Sequence, residues 1–162
     1  MKDTDKIMGT KLIFRNFAGK QTDFNRLGDR NTCVVIPDDR VQEFIDKGYN
    51  VKIYQPKDEQ AASVYYIKAR INFERDPLPK IYLITSLSKP KKLNIDERKG
   101  GDPDEVNQLD WSDIESIDIE ISPWVYNKNG RSGVSAYIRQ LYVKLIEDPF
   151  YEKYNIGDFE DD

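Results

Sequence analysis

Between Ser63 and Phe73 the chain alternates without a break. Tyr65, Ile67, Ala69, Ile71 and Phe73 fall on one side, and Val64, Tyr66, Lys68, Arg70 and Asn72 on the other. Successive side chains of a strand point to opposite faces, so the spacing predicts a long strand with an apolar face and an outer face of ring and cations. Ile117, Ile119 and Ile121 alternate with Asp118 and Glu120 and predict a second strand with one solvated acidic face. Trp124–Tyr126 and Ser135–Ile146 flank Asn129-Gly130, the dipeptide of a tight hairpin. Lys11–Phe17, Asn50–Tyr54 and Lys80–Thr85 read as further strands, and the apolar run Thr32–Ile36 as a strand buried on both faces. Pro37–Lys47 is the best helix, with Asp38 as its cap, Val41, Phe44 and Ile45 on one face, and Gly48 as its stop. Asp110 reads as the cap of a short helical turn, with Leu109 and Ile114 as its hydrophobic staple. Ala18–Asn31 and Ser88–Gln108 lack periodicity, and the second reads as a long exposed loop.

Together these give about seven or eight strands, one main helix and no strand–helix–strand alternation. The expected fold class is mostly β. It is an OB-like antiparallel β-barrel with one main helix, long exposed loops and an acidic C-terminal tail. Residues 1–154 read as a single OB-like domain and 155–162 as a flexible acidic tail.

Composition removes several chemistries. The 162 residues include one cysteine, Cys33, and no histidine. Intramolecular disulfides, histidine-based nucleophile activation, the usual zinc sites and the imidazole proton shuttle all fall away. Cys33 lies in an apolar run and reads as a buried small side chain. Asp118 and Glu120 share a strand face as a Mg²⁺-dependent nuclease pair does, but the position where such sites place a lysine is Ser122. The reading is no enzyme, no metal and no cofactor. No apolar run reaches the length of a membrane span and the first residues lack the apolar core of a signal peptide. The expectation is no membrane contact and a cytoplasmic location.

The net charge of −4 is unevenly distributed. Asp158, Glu160, Asp161 and Asp162 account for all of it, and without them acids and bases are equal in number. Asp102–Ser122 is a block of acids without a base, whereas Pro123–Ile146 carries Lys128, Arg131, Arg139 and Lys144 without an acid. Such segregation gives the protein faces of opposite sign.

Aromatic rings interleave with the cations. Arg15, Phe17, Lys20, Phe24, Arg26 and Arg30 occupy the first strand and its loop; Tyr66, Lys68 and Arg70 share a strand face; Trp124, Tyr126, Lys128, Arg131, Tyr137 and Arg139 cluster on the hairpin. Single-stranded nucleic acid needs both residue types, rings for its bases and cations for its phosphates. Phe159 amid Asp158, Glu160, Asp161 and Asp162 suits an anchor for a basic, apolar pocket on a protein partner. An alternative reading makes the acidic block the active surface of a DNA-mimicking inhibitor of a host defence enzyme.

Three segments, Phe14–Lys20, Gly28–Asn31 and Tyr137–Val143, resemble a family of phage-encoded proteins related to OB-fold single-stranded DNA-binding proteins. The resemblance implies sequence-nonspecific binding of single-stranded DNA in phage DNA replication or recombination, inside the bacterial host cytoplasm. It also implies recruitment of replication or recombination proteins through the acidic tail; a homo-oligomer is a separate partner expectation. Members of that family commonly end in an acidic, aromatic-containing tail; here the tail ends in Asp161-Asp162 rather than in a terminal phenylalanine.

Overall fold

The computed structural model describes residues 3–85 and 89–146. Among these described residues nine strands form one sheet: β1 (Asp5–Thr10), β2 (Leu12–Asn16), β3 (Asn31–Ile36), β4 (Lys52–Tyr54), β5 (Val64–Arg70), β6 (Lys80–Ile84), β7 (Lys91–Lys92), β8 (Ile114–Lys128) and β9 (Arg131–Leu145). The α-helix, α1 (Val41–Asp46), continues a 3-10 turn over Asp38–Arg40. The main path runs β1-β8-β9-β5-β3-β2. It returns on itself because β1 and β2 are one strand bent at Lys11, whose carbonyl accepts from the Val35 N–H at 3.0 Å. The result is an OB-like barrel, with the bent β1/β2 strand as its first strand, then β3, β5, β8 and β9. Strands β6 and β7 extend the sheet beyond β9, and β4 pairs with β5.

The pairing is not wholly antiparallel. β9 runs parallel to β5 at Ala69↔Ala136 and Arg70↔Tyr137, and parallel to β6 from Lys80↔Gln140 to Ile84↔Lys144. A parallel partner reaches β9 only through a long connection, so local spacing carries no sign of it.

The alternations decide what faces inward. Ile67 and Ala69 of β5, Ile117, Ile119 and Ile121 of β8, and Ile138, Leu141 and Val143 of β9 are all buried in one core with Ile7, Phe17, Val34 and Phe44. β3 is buried along nearly its whole length, because β2 and β5 flank it. The hairpin turn holds Asn129 at φ 53° and Gly130 at φ 76°. Both central residues of this turn type need positive φ, which asparagine and glycine tolerate. Asp5 is buried and answered by the Tyr49 hydroxyl, which donates at 2.6 Å, and by the Lys47 ammonium. A buried carboxylate is tolerable only when paired in this way. Burial first, and the bond to Asp5 second, hold the Tyr49 hydroxyl protonated well above its ordinary range.

Several expectations need correction. β1 precedes the first strand read from the sequence. Asp38 makes no side-chain cap, and Ile45 is exposed while Phe44 fills the core. Residues 89–112 are not a free loop: Leu93, Ile95, Val106 and Leu109 are buried. Gly101 presses on Asn94 so closely that a Cβ there would lie 2.5 Å from the Asn94 carbonyl oxygen. Asp110 is no N-terminal cap; it ends a 3-10 helix spanning Pro103–Asp110, which Asp102 caps. The Asp110 carboxylate instead accepts from the Phe17 and Ala18 N–H groups at 2.6 and 3.1 Å. Among the described residues, no helix is long and apolar enough to cross a membrane. The acidic segment Asp158–Asp162 and the boundary at residue 154 lie outside the described residues.

Candidate nucleic-acid interface

The outer face of β5 is the floor of the site. Tyr66, Lys68 and Arg70 point away from the core, opposite Ile67 and Ala69. The register sets their neighbours: Val35, Cys33 and Asn31 on β3, Lys52 on β4, and Tyr137 beside Arg70 on β9. Cys33 lies on this face opposite Lys68 and is buried there, and burial pushes its thiol up despite the nearby Lys68 and Lys52 ammonium groups. It is a packing residue rather than a nucleophile.

Two rings join this floor that the sequence reading missed. Phe14 packs edge-on against Tyr54 at 5.0 Å and Tyr66 at 5.6 Å between centroids, and half of it remains exposed. Its φ of 49° is unusual for a bulky residue. This backbone kink interrupts the β2–β3 register, so spacing alone could not place the ring.

The loop from Phe17 to Arg30 stands at one side of the face. The Gly28 N–H donates to the Gly19 carbonyl at 2.7 Å, closing its base. A Cβ on Gly19 would meet the Gly28 backbone at 3.0 Å, so only glycine permits this approach. The Asn25 amide bonds the Lys20, Arg26 and Asp29 carbonyls across the interior. This ordered base presents Phe24 to solvent at 95% exposure and Leu27 at 78%, with Lys20 and Arg26 also exposed. An aromatic ring left this bare has no packing role to explain it. Phe24→Ala is therefore expected to weaken single-strand binding by about 1–3 kcal/mol with the melting temperature unchanged. Titration and thermal melting of the same preparation check both halves, and a lowered melting temperature would assign Phe24 to packing.

The hairpin stands at the other side. Trp124, Val125, Tyr126, Lys128 and Arg131 are exposed. The Arg75 guanidinium lies 4.7 Å from the Trp124 ring centroid, adding a cation that the sequence reading left out. Tyr126 crosses onto Gly133, where a Cβ would come within 2.6 Å of its hydroxyl.

Three other residues expected to contact nucleic acid are committed internally. Phe17 is fully buried, so its ring cannot stack on a base. Arg15 donates to the Leu109 and Ser112 carbonyls at 2.8 and 2.7 Å. Arg30 donates to the Phe17 carbonyl at 2.8 Å, Asn107 Oδ1 at 2.7 Å and Asp104 Oδ1 at 2.6 Å. These arginines fasten the loop and the first strand to the 3-10 helix. Arg139 is exposed but has Glu120 Oε1 at 3.7 Å from its Nε.

The acids are similarly occupied. Glu120 accepts from the Gln140 amide at 2.9 Å and the Thr4 hydroxyl at 2.8 Å, and these bonds hold its carboxyl below the usual range. Asp118 accepts the Gly9 N–H at 2.7 Å. Asp104, Asp110, Asp118 and Glu120 thus hold the fold together, which leaves the acidic block little of the free carboxylate array that a DNA mimic presents. Among the described residues, no group of three or more acid or cysteine side chains is placed to hold a metal ion.

Between the loop and the segment carrying Asp96–Arg98 lies a cleft of about 820 Å³, floored by Lys68, Arg70 and Tyr137. In five-stranded barrels of this kind the second and third strands and the loops flanking them form the oligonucleotide surface. Here those parts are β3, β5, the loop of Phe24 and the hairpin of Trp124.

A comparison with curated protein sequences finds no match. Among solved structures, the chain resembles the single-stranded DNA-binding protein of bacteriophage Enc34 in complex with single-stranded DNA, with TM-score 0.57 and 12% identity over 91% of this chain and 89% of that one. A second structure of the Enc34 protein gives TM-score 0.54 and 14% identity over 96% and 89% of the two chains. At such identities the likeness establishes the shared fold. The family model described as "Putative phage ssDNA-binding domain" matches residues 2–162. This chain belongs to that family of phage single-stranded-DNA-binding domains.

Proposed function

We propose that the chain coats single-stranded DNA without strong sequence preference, laying phosphates on Lys68, Arg70, Lys20 and Arg26 and stacking bases on Phe24, Tyr66, Tyr137, Trp124 and Tyr126. Lys128 and Arg131 extend the cationic track along the hairpin, and Phe14 with Tyr54 extends the stacking surface beside Tyr66. The observation that carries this reading is the outward-facing Tyr66-Lys68-Arg70 row, with exposed rings standing on both sides of it. Every base offers a π-face, so stacking accepts all sequences, and phosphate contacts carry no sequence information. Equal-length oligonucleotides of different sequence are the test. The expected affinities lie within about tenfold of one another. Recognition of one sequence some thousandfold above the rest would replace this reading with base-edge readout.

The segment Asp158–Asp162 adds a second function to the same reading. Its carboxylates would visit the cationic face as a tethered competitor, at a local concentration set by the connecting chain. DNA would displace them and leave Phe159 available to a replication or recombination protein. Deleting residues 157–162 is expected to tighten DNA binding at low salt, to lose that gain at high salt because exposed charges are screened, and to abolish partner recruitment. Paired titrations of intact and truncated protein at two salt concentrations check this. Equal affinities at low salt would leave the segment a recruiting role only.

A further inference from the structure

The cleft lining carries charges of both signs. Lys68 and Arg70 form its floor on β5. Glu74, Asp76, Asp96 and Glu97 line it as well, with Asp29 of the loop. Among the lining residues of these segments the one base is Arg98, which donates to Asp76 Oδ1 at 3.1 Å and Asp96 Oδ1 at 3.1 Å and ties the two acidic segments together, while Arg75, between Glu74 and Asp76, lies over the Trp124 ring. With Arg98 already forked between two carboxylates, this part of the lining keeps a net negative charge at neutral pH. A binder of a polyanion gains nothing in affinity from placing acids against its own cationic floor.

What such a lining can supply is discrimination. A single strand has one backbone; with its phosphates on Lys68 and Arg70 and its bases on the rings beside them, it brings no second row of phosphates to the acids. Base edges are uncharged and carry amino donors that a carboxylate accepts. A duplex cannot make this choice. Its second backbone lies across from the first, and the two together bring about one charge per 1.7 Å of axis. Seating one backbone on Lys68 and Arg70 brings the other into the cleft whose lining holds these carboxylates, and like charges brought together are costly.

We propose that the lining formed by Glu74, Asp76, Asp96 and Glu97 is the element that selects single-stranded over double-stranded DNA, by repelling the second backbone rather than by attracting the first. This rests on the reading that the cleft holds DNA, and it adds residues whose part is exclusion.

The test uses the full chain with two neutralised acids, Glu74→Gln with Glu97→Gln. Both are exposed, and the Arg98 bonds to Asp76 and Asp96 stay intact. A control variant, Asp39→Asn with Glu59→Gln, makes the same change in net charge at exposed positions outside the cleft. Affinities for one oligonucleotide and for its duplex are measured at low salt, where exposed charges act over more than about 10 Å. The expected result is a gain of about tenfold or more for duplex with less than about threefold for the single strand, and no such separation in the control. Equal gains for both ligands, or the same separation in the control, would overturn the proposal. If the unaltered protein binds neither ligand, the cleft reading itself fails, an outcome that cannot be confused with loss of selectivity alone.

Discussion

Replacing Lys68 and Arg70 together with glutamate is expected to lower affinity for single-stranded DNA by about a hundredfold or more, equivalent to about 3 kcal/mol. Both side chains are exposed on β5, so the substitution leaves the core untouched. Two phosphate contacts are lost and two repulsive charges stand in their place. The dependence of log K on log salt should become shallower by about 1.4, since a single strand contributes about 0.7 per contact. The loss should be uniform across sequences, because phosphates carry no base identity. Stability should move by no more than about 0.5 kcal/mol, as for other exposed substitutions. Titrations at several salt concentrations with thermal melting read all of this. An unchanged salt slope would remove β5 from the DNA path.

Phe17→Ala is expected to act entirely on the fold. Its ring is fully buried, and its backbone N–H donates to Asp110 at 2.6 Å where the first strand meets the 3-10 helix. Truncating a buried phenylalanine costs about 3–5 kcal/mol, a large share of the roughly 5–15 kcal/mol that stabilises an ordinary domain. The melting temperature should fall steeply, while the molecules still folded at low temperature bind DNA with nearly their original affinity. The opposite pattern, intact melting with lost binding, would return Phe17 to the DNA surface.

That residue shows where the sequence was silent. Phe17 lies among Arg15, Lys20 and Phe24, and its neighbours give no clue that a distant helix covers it. The same helix claims Arg15 and Arg30, whose acceptors on it sit more than seventy residues further along the chain. Long-range partners leave no local trace. Where the physics is local, the sequence was readable. Strict alternation in β5 separated Ile67 and Ala69 from Tyr66, Lys68 and Arg70, because a strand has a period of two. Asn129-Gly130 announced the hairpin through its need for positive φ. From the sequence Leu93, Ile95, Val106 and Leu109 read as loop, because irregular and 3-10 segments bury residues without a repeating interval. Phe14 and Arg75 escaped notice because a kinked backbone aims one and a tertiary ring contact reveals the other. The outward rows and loop tips of the site were therefore legible, and its fastenings were not.

The barrel's cationic row and bare rings acquire a common purpose only if a single strand lies across them. The most direct measurement is a titration of the full chain carrying Trp111→Phe with single-stranded oligonucleotide over a range of salt, followed through the remaining tryptophan, the exposed Trp124. The expected result is quenching on binding, with log K falling linearly in log salt at a slope at least as steep as about −1.4, the value for Lys68 and Arg70 alone. Binding that is flat in salt, or a Trp124 signal that DNA leaves unchanged, would contradict a strand held by stacking and phosphate contact on this face.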